Sequence, residues 1–227
     1  MAQVILIRHG QSIWNLENKF TGWENIDLSE NGKQEALFAG RKIKDSDIKF
    51  DIAYTSILSR AIDTLEIILK EIDQENLMVF HDWRLNERHY GALQGLNKEN
   101  TSKRYGSNQV LKWRRGYQIK PPEISEKVFM NMSENPLFKE IPKNKLPKSE
   151  SLSDTVDRIS PFIEDVLQKD LVNDKNVMIS AHGNTLRALL KYLENISAED
   201  IIGLEIPTGQ PILLNFEKGF LIGRKYI

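Results

Sequence analysis

The feature that most narrows the fold is an apolar run that ends abruptly in chemistry, Val4-Ile5-Leu6-Ile7 followed by Arg8-His9-Gly10. Four consecutive β-branched or aliphatic residues suit a strand buried on both faces, as in the middle of a parallel sheet. In open α/β sheets the ligand crevice lies beyond the carboxyl ends of the strands, so Arg8 and His9 fall where a site is expected. Gly10 permits a sharp turn and a close backbone approach to a ligand. A lone histidine after an apolar run is more often a hydrogen-bonded structural residue. A second run, Val177-Met178-Ile179-Ser180-Ala181-His182-Gly183-Asn184, shifts the balance: it also ends in His-Gly and leads into the helix-like Thr185 to Leu190. Two strand-end histidines from distant parts of the chain can meet at one crevice.

At 227 residues the chain is long enough for a full core and fits one α/β domain over 1–227, with no composition break that marks a linker. Its 31 lysines and arginines nearly match its 32 aspartates and glutamates, so anion specificity has to come from local clustering. There is no cysteine, which removes disulfides, thiolate nucleophiles and cysteine-type zinc sites together and is compatible with a reducing cytoplasm. The N-terminus has no basic segment followed by an apolar one, and no apolar run approaches the roughly 18 residues that span a bilayer. The expectation is a soluble, unprocessed cytoplasmic protein with neither a membrane nor a nucleic-acid partner.

Between these runs, the segment from Gln11 to Trp23 offers Ser12, Asn15 and Thr21 as hydrogen-bond donors to oxygens, or is an ordinary surface loop over two tryptophans. Ser29 is a plausible N-cap for a helix through Leu37. Ile52 to Ser56 reads as a strand and Leu58 to Leu65 as the helix after it, which puts Arg60 at a helix N-terminus. A cation is misplaced there unless an anion joins it; a solvated surface arginine is the alternative. Leu77 to Phe80 is a third short strand, and Trp83 to Gly91, without amphipathic period, is a loop holding Glu87, Arg88, His89 and Tyr90. Trp113 to Gly116 is read as a paired-arginine turn. The cations Arg8, Arg60, Arg88, Lys98, Arg114 and Arg115 are too dispersed for a nucleic-acid stripe and suit a pocket for a small, heavily charged anion.

Five prolines between Tyr117 and Glu150 predict an irregular excursion at about 117–150, either a lid or a disordered segment. A helix from Ser151 towards Lys169 is expected to be kinked or split by Pro161. Pro211 to Phe216 and Gly219 to Arg224 read as a hairpin at the sheet edge.

Taken together, Arg8-His9-Gly10, Phe20-Thr21-Gly22-Trp23, Tyr54-Thr55-Ser56 through Arg60-Ala61-Ile62, Leu85 through Lys98, Trp113-Arg114-Arg115, Glu150-Ser151-Leu152 and His182-Gly183-Asn184 resemble the histidine phosphatase superfamily, and within it the cofactor-dependent phosphoglycerate mutases. The resemblance covers almost the whole chain, and its long central motif is highly specific. It implies a three-layer α/β/α fold with a mainly parallel central sheet and helices on both faces. It also implies interconversion of 3-phosphoglycerate and 2-phosphoglycerate in glycolysis and gluconeogenesis, primed by 2,3-bisphosphoglycerate and without a metal. His9 would carry the phosphoryl group, with Arg8, Arg60 and His182 as the clamp on its oxygens and Asn15, Gly183 and Asn184 as further donors. Glu87 would exchange the substrate hydroxyl proton, a role that calls for a carboxylate whose pKa is raised by burial. Arg88, Tyr90, Lys98, Arg114, Arg115, Thr21 and Gly22 match positions that hold the substrate's carboxylate and distal phosphate, and Ser12 matches a phosphate-contacting position. Relatives are often homodimers or homotetramers.

Three departures accompany the resemblance. Gln11 and Asp63 stand where many relatives carry glutamate and histidine, and neither is expected to abolish activity. The chain stops at Ile227, directly after the hairpin, where several mutases continue into a flexible tail over the site, which predicts weaker exclusion of water. A phosphatase acting on small phosphate esters is therefore the competing activity, and a non-catalytic anion-binding module the third reading.

Overall fold

The computed structural model describes Met1–Ile227. Strand β1 (Ala2–Arg8) leads through the single turn α1 (Ile13–Leu16) to helix α2 (Glu30–Lys44), then strand β2 (Ile52–Thr55), helix α3 (Ser59–Glu71) and the short strand β3 (Val79–His81). Helices α4 (Lys98–Tyr105), α5 (Ser107–Arg115) and α6 (Glu126–Ser133) follow, then α7 (Leu152–Phe162) and α8 (Gln168–Val172), joined by a π-helical segment, Ile163–Leu167. Strand β4 (Val177–Ala181), helix α9 (Gly183–Glu194) and the strands β5 (Ile212–Glu217) and β6 (Phe220–Tyr226) complete the chain.

The six strands lie in the order β3-β2-β4-β1-β5-β6. The first four are mutually parallel, and β5 and β6 add an antiparallel edge. Alternation along β1 explains the layers. Val4 and Leu6 pack with α7, α8 and α9 residues such as Phe162, Leu171 and Leu189. Ile5 and Ile7 pack on the other face with Ala39 and Ile43 of α2 and Leu65 and Ile68 of α3. All four β1 side chains are fully buried, as a central parallel strand requires.

β1 and β4 are neighbours, yet the chain leaves β1 towards the α2 face and leaves β4 towards the α9 face. The two connections diverge and open a crevice at the strand ends, the switch point at which α/β sheets bind ligands. The register of Arg8 opposite Ala181 sets His9 and His182 side by side at its floor.

Several local expectations change. At Gly10 the close approach is to the protein itself: a Cβ there would stand 2.1 Å from the Gly32 carbonyl oxygen, so its bareness lets the loop after β1 pack on the first turn of α2. Ser29 caps that turn, accepting from the Gly32 N–H at 3.1 Å. The third strand begins at Val79 rather than Leu77 and runs on to His81. Arg114 and Arg115 lie in the last helical turn of α5 rather than in a turn, with Gly116 ending it. The excursion over 117–150 is not without regular structure. It holds α6, capped by Ser125, and Phe138, Ile141 and Leu146 pack with Trp23 and Leu58 in a satellite core. The interruption expected at Pro161 falls just after it: the proline sits one residue before the end of α7, where the chain passes into the π segment before α8 resumes. Proline cannot donate to the Asp157 carbonyl, and the Ser160 hydroxyl donates to it instead at 3.3 Å.

Candidate active site

The crevice holds a cavity of about 260 Å³ lined by Arg8, His9, Asn15, Lys19, Phe20, Thr21, Gly22, Arg60, Glu87, Tyr90, Lys98, Arg114, Arg115, Gly183, Asn184, Arg187, Glu205, Ile206 and Pro207. Its lining carries seven side-chain cations against two carboxylates. Such a field suits a small polyanion.

At the floor, the His9 Nδ1 lies 2.6 Å from the Gly10 carbonyl oxygen. A carbonyl only accepts, so Nδ1 carries the proton and Nε2 keeps its lone pair. The Arg60 Nε–H points at that nitrogen from 3.3 Å. Burial, followed by the charges of Arg60 and Arg8, holds His9 well below the ordinary imidazole range, against the Gly10 hydrogen bond. The ring is neutral and its orientation is fixed.

Arg60 is 1 % exposed, which decides against a solvated surface arginine. Its Nη1 and Nη2 donate to the carbonyls of Glu24 and Gly22, each at 2.8 Å. Burial lowers its pKa to about 10, so it remains a cation at neutral pH. Arg8 donates from Nη1 to the Ile206 carbonyl at 2.7 Å and leaves Nε unpartnered. Gly183 brings the first turn of α9 close to that guanidinium, since a Cβ would lie 3.3 Å from Nε.

Glu87 Oε1 accepts the N–H groups of Arg88 at 2.8 Å and Asn184 at 3.2 Å, leaving Oε2 unengaged by the protein. Behind it, the Glu87 carbonyl accepts from Trp23 Nε1 at 2.6 Å and from Arg158 Nη2 at 3.2 Å. Arg158 is itself locked to Glu150 by bonds of 2.7 and 3.0 Å, with side chains 5 % and 4 % exposed. The Tyr90 hydroxyl accepts from Asn184 Nδ2 at 3.2 Å. Burial pushes that phenol up, but the Arg88 charge and the Asn184 hydrogen bond bring it below its ordinary value. Lys98, at the start of α4, is lowered by burial and by Arg114 and Arg8.

The arrangement can take a phosphoryl group at His9, hold its oxygens with Arg8 and Arg60, and move a proton at Glu87. No three His, Cys, Asp or Glu side chains stand close enough to hold a metal ion.

The family model described as Histidine phosphatase superfamily (branch 1) matches residues 4–135 and 129–222. A 2,3-bisphosphoglycerate-dependent phosphoglycerate mutase of Borrelia garinii subsp. bavariensis is 50% identical over 218 residues, 96% of this chain and 88% of that one. Its counterpart in Lactobacillus acidophilus is 49% identical over 225 residues, 99% of this chain and 98% of the relative. The chain belongs to the phosphoglycerate mutase family of the histidine phosphatase superfamily. Among solved structures, a mycobacterial glucosyl-3-phosphoglycerate phosphatase bound to VO3 superposes with a TM-score of 0.75 at 21% identity, covering 100% of this chain and 97% of that one. At that identity the match speaks to the fold, and the fold is the three-layer one with a mainly parallel sheet.

Most residues that the family resemblance singles out line the cavity, and three lie directly behind its lining. Ser12 is buried and spends its hydroxyl on the Asn15 N–H at 3.1 Å, while Asn15 Oδ1 accepts the Ser12 N–H. It caps α1 and aims Asn15 instead of lining the site. Arg88 is fully buried behind Tyr90, its guanidinium 4.6 Å from the ring, with Nη2 on the Arg114 carbonyl and Nε and Nη1 unpartnered. His182 is also fully buried, its ring 4.9 Å from that of His9 at 63°.

Three charged lining residues escaped the sequence reading, as did Ile206 and Pro207. Arg187 donates to Asn184 Oδ1 at 2.9 Å and to the Ile201 carbonyl at 2.6 Å. It lies three residues after Asn184 on α9, a spacing that puts both on one face and was a usable signal. Lys19 and Glu205 carried no such signal. Glu205 pairs with Arg115 across the cavity mouth.

Proposed function

We propose that the protein interconverts 3-phosphoglycerate and 2-phosphoglycerate through a phosphohistidine at His9. The observation that carries this is the His9 ring: neutral, with its proton committed to the Gly10 carbonyl, and with an unprotonated Nε2 that faces only the long Arg60 Nε–H contact in a cavity dominated by cations. When bound, 2,3-bisphosphoglycerate supplies the phosphoryl group that primes His9. The cavity suits such a polyanion, because Arg8 Nε and the Thr21 hydroxyl are buried with no partner in the protein. Arg8, Arg60, Lys98, Arg114 and Arg115 would hold its charged groups.

In turnover, phosphorylated His9 gives its phosphoryl group to a substrate hydroxyl while Glu87 Oε2 takes that hydroxyl's proton, so an N–P bond breaks and an O–P bond forms. After the triose turns in the site, His9 Nε2 attacks the other phosphate and Glu87 returns the proton to the departing oxygen. Arg8 and Arg60 balance the charge that spreads over the equatorial oxygens, work that cations and amides do here.

The test is an enolase-coupled assay on 3-phosphoglycerate, with and without 2,3-bisphosphoglycerate, with inorganic phosphate followed in parallel. Stimulated turnover with little phosphate release is expected. Phosphate release without isomerisation would reassign the site to a phosphatase.

A further inference from the structure

Ser56 stands just past β2, in a stretch whose resemblance to the family comes with no role for its hydroxyl. It is fully buried, and its Oγ is 2.7 Å from Nε2 of His182. The pairing of Thr55 with Ser180 explains the meeting, since it brings the end of β2 level with the end of β4. The hydroxyl oxygen already accepts the Leu58 N–H at 3.2 Å, and its only other hydrogen-bond partner is the imidazole.

Two proton arrangements are possible, and counting partners separates them. If His182 carried its proton on Nε2 and donated it to Ser56, the Ser56 hydroxyl hydrogen would have no acceptor. The bare Nδ1 lone pair would then stand in a ring 4.9 Å from that of His9, where phosphoryl oxygens have to be accommodated. If Ser56 donates to Nε2, its own bonding is complete and His182 keeps an N–H on Nδ1. That nitrogen is buried and has no partner in the protein. A buried donor left open in this way is costly unless something arrives to accept from it.

We propose that Ser56 is a positioning residue: by donating to Nε2 it holds His182 in the Nδ1–H tautomer, so that the ring offers a donor to the phosphoryl group carried by His9. The inference rests on reading His9 as the phosphoryl carrier, whichever phosphate ester it serves.

The test is histidine-selective 15N NMR on the free enzyme, where four histidines give four ring systems, with His182 assigned from the signals lost in His182→Asn. The expected wild-type pattern is a protonated Nδ1 and an unprotonated Nε2 at His182. In Ser56→Ala the ring is expected to become a tautomer mixture, with kcat down about 10- to 100-fold, less than deletion of a whole donor, and KM little changed. Ser56→Thr, which keeps the hydroxyl, should restore the single tautomer. A wild-type His182 protonated on Nε2, or an unchanged tautomer in folded Ser56→Ala, would overturn the proposal. Because the tautomer is read without substrate, failure of the mutase assay would leave this result standing.

Discussion

At the scale of single residues, the division of labour at Glu87 is the sharpest prediction. Its Oε1 is committed to two backbone N–H groups, so only Oε2 is available for a proton. Glu87→Gln preserves the shape and the Oε1 acceptor while replacing Oε2 with an amide. kcat is expected to fall about 10²- to 10⁴-fold, with thermal stability near wild type. Rapid turnover in the variant would remove Glu87 from proton transfer. Glu205 makes a different case. It occupies Arg115 at the cavity mouth, where an anionic ligand would compete for the same guanidinium. The Glu205 side chain is 71% exposed, so the pair is worth only about 0–1 kcal/mol. Glu205→Gln should lower KM by no more than about 5-fold, the equivalent of that energy, and leave kcat alone. A raised KM would show that Glu205 helps to hold the ligand.

At the scale of elements, the site depends on a loop pinned from behind. The segment from Trp83 to Gly91 has little regular structure of its own, yet Arg158 of α7 donates to the carbonyls of Arg84, Asn86 and Glu87 at 2.7, 3.0 and 3.2 Å. Removing one member of a buried pair strands the other charge, so Arg158→Leu is expected to cost about 3–5 kcal/mol in urea unfolding and to depress kcat through Glu87. Adding Glu150→Gln, which discharges the stranded partner but keeps an acceptor for the His89 N–H, should recover part of that loss. No recovery would locate the cost in the lost carbonyl contacts rather than in the charge.

The same elements show what a sequence can disclose. β1 and β4 were legible because an unbroken apolar run fits a strand covered on both faces, and α2 because Ser29 caps a helix-favouring stretch. α4 and α6 were not. α4 is polar throughout and buries only Thr101. α6 does set Phe129 and Met132 on one face against the satellite core, but it is two turns long and lies among prolines that read as irregular chain. The histidines, Glu87 and most of the cations were found through local motifs. Arg158 was not, because its partners at Glu150 and in the loop before Tyr90 are joined to it only by folding.

At the scale of the whole molecule, net charge says little: the chain is at −1, while its cavity is strongly positive. Burial of neutral histidines is the global property that can be measured. His9, His89 and His182 are 3%, 0% and 0% exposed. Burial, with nearby arginines, depresses all three, His89 to about 3. Each returns to about 6.5 when the chain unfolds, so between that value and its folded pKa the unfolded state binds more protons. Stability is therefore fully present above about pH 7.5 and falls as pH drops through 6.5. Each histidine adds about 1.4 kcal/mol per pH unit to the slope, up to about 4 for three. Urea midpoints from pH 8 to pH 5 should show a plateau and then this decline. His89 does not line the cavity, so His89→Gln isolates one contribution. Whatever the variant's stability at pH 8, its acid slope should be shallower than wild type by about 1.4 kcal/mol per pH unit. Parallel slopes would mean that His89 is not a neutral buried group that must charge on unfolding, and the acid limb would have to come from elsewhere in the molecule.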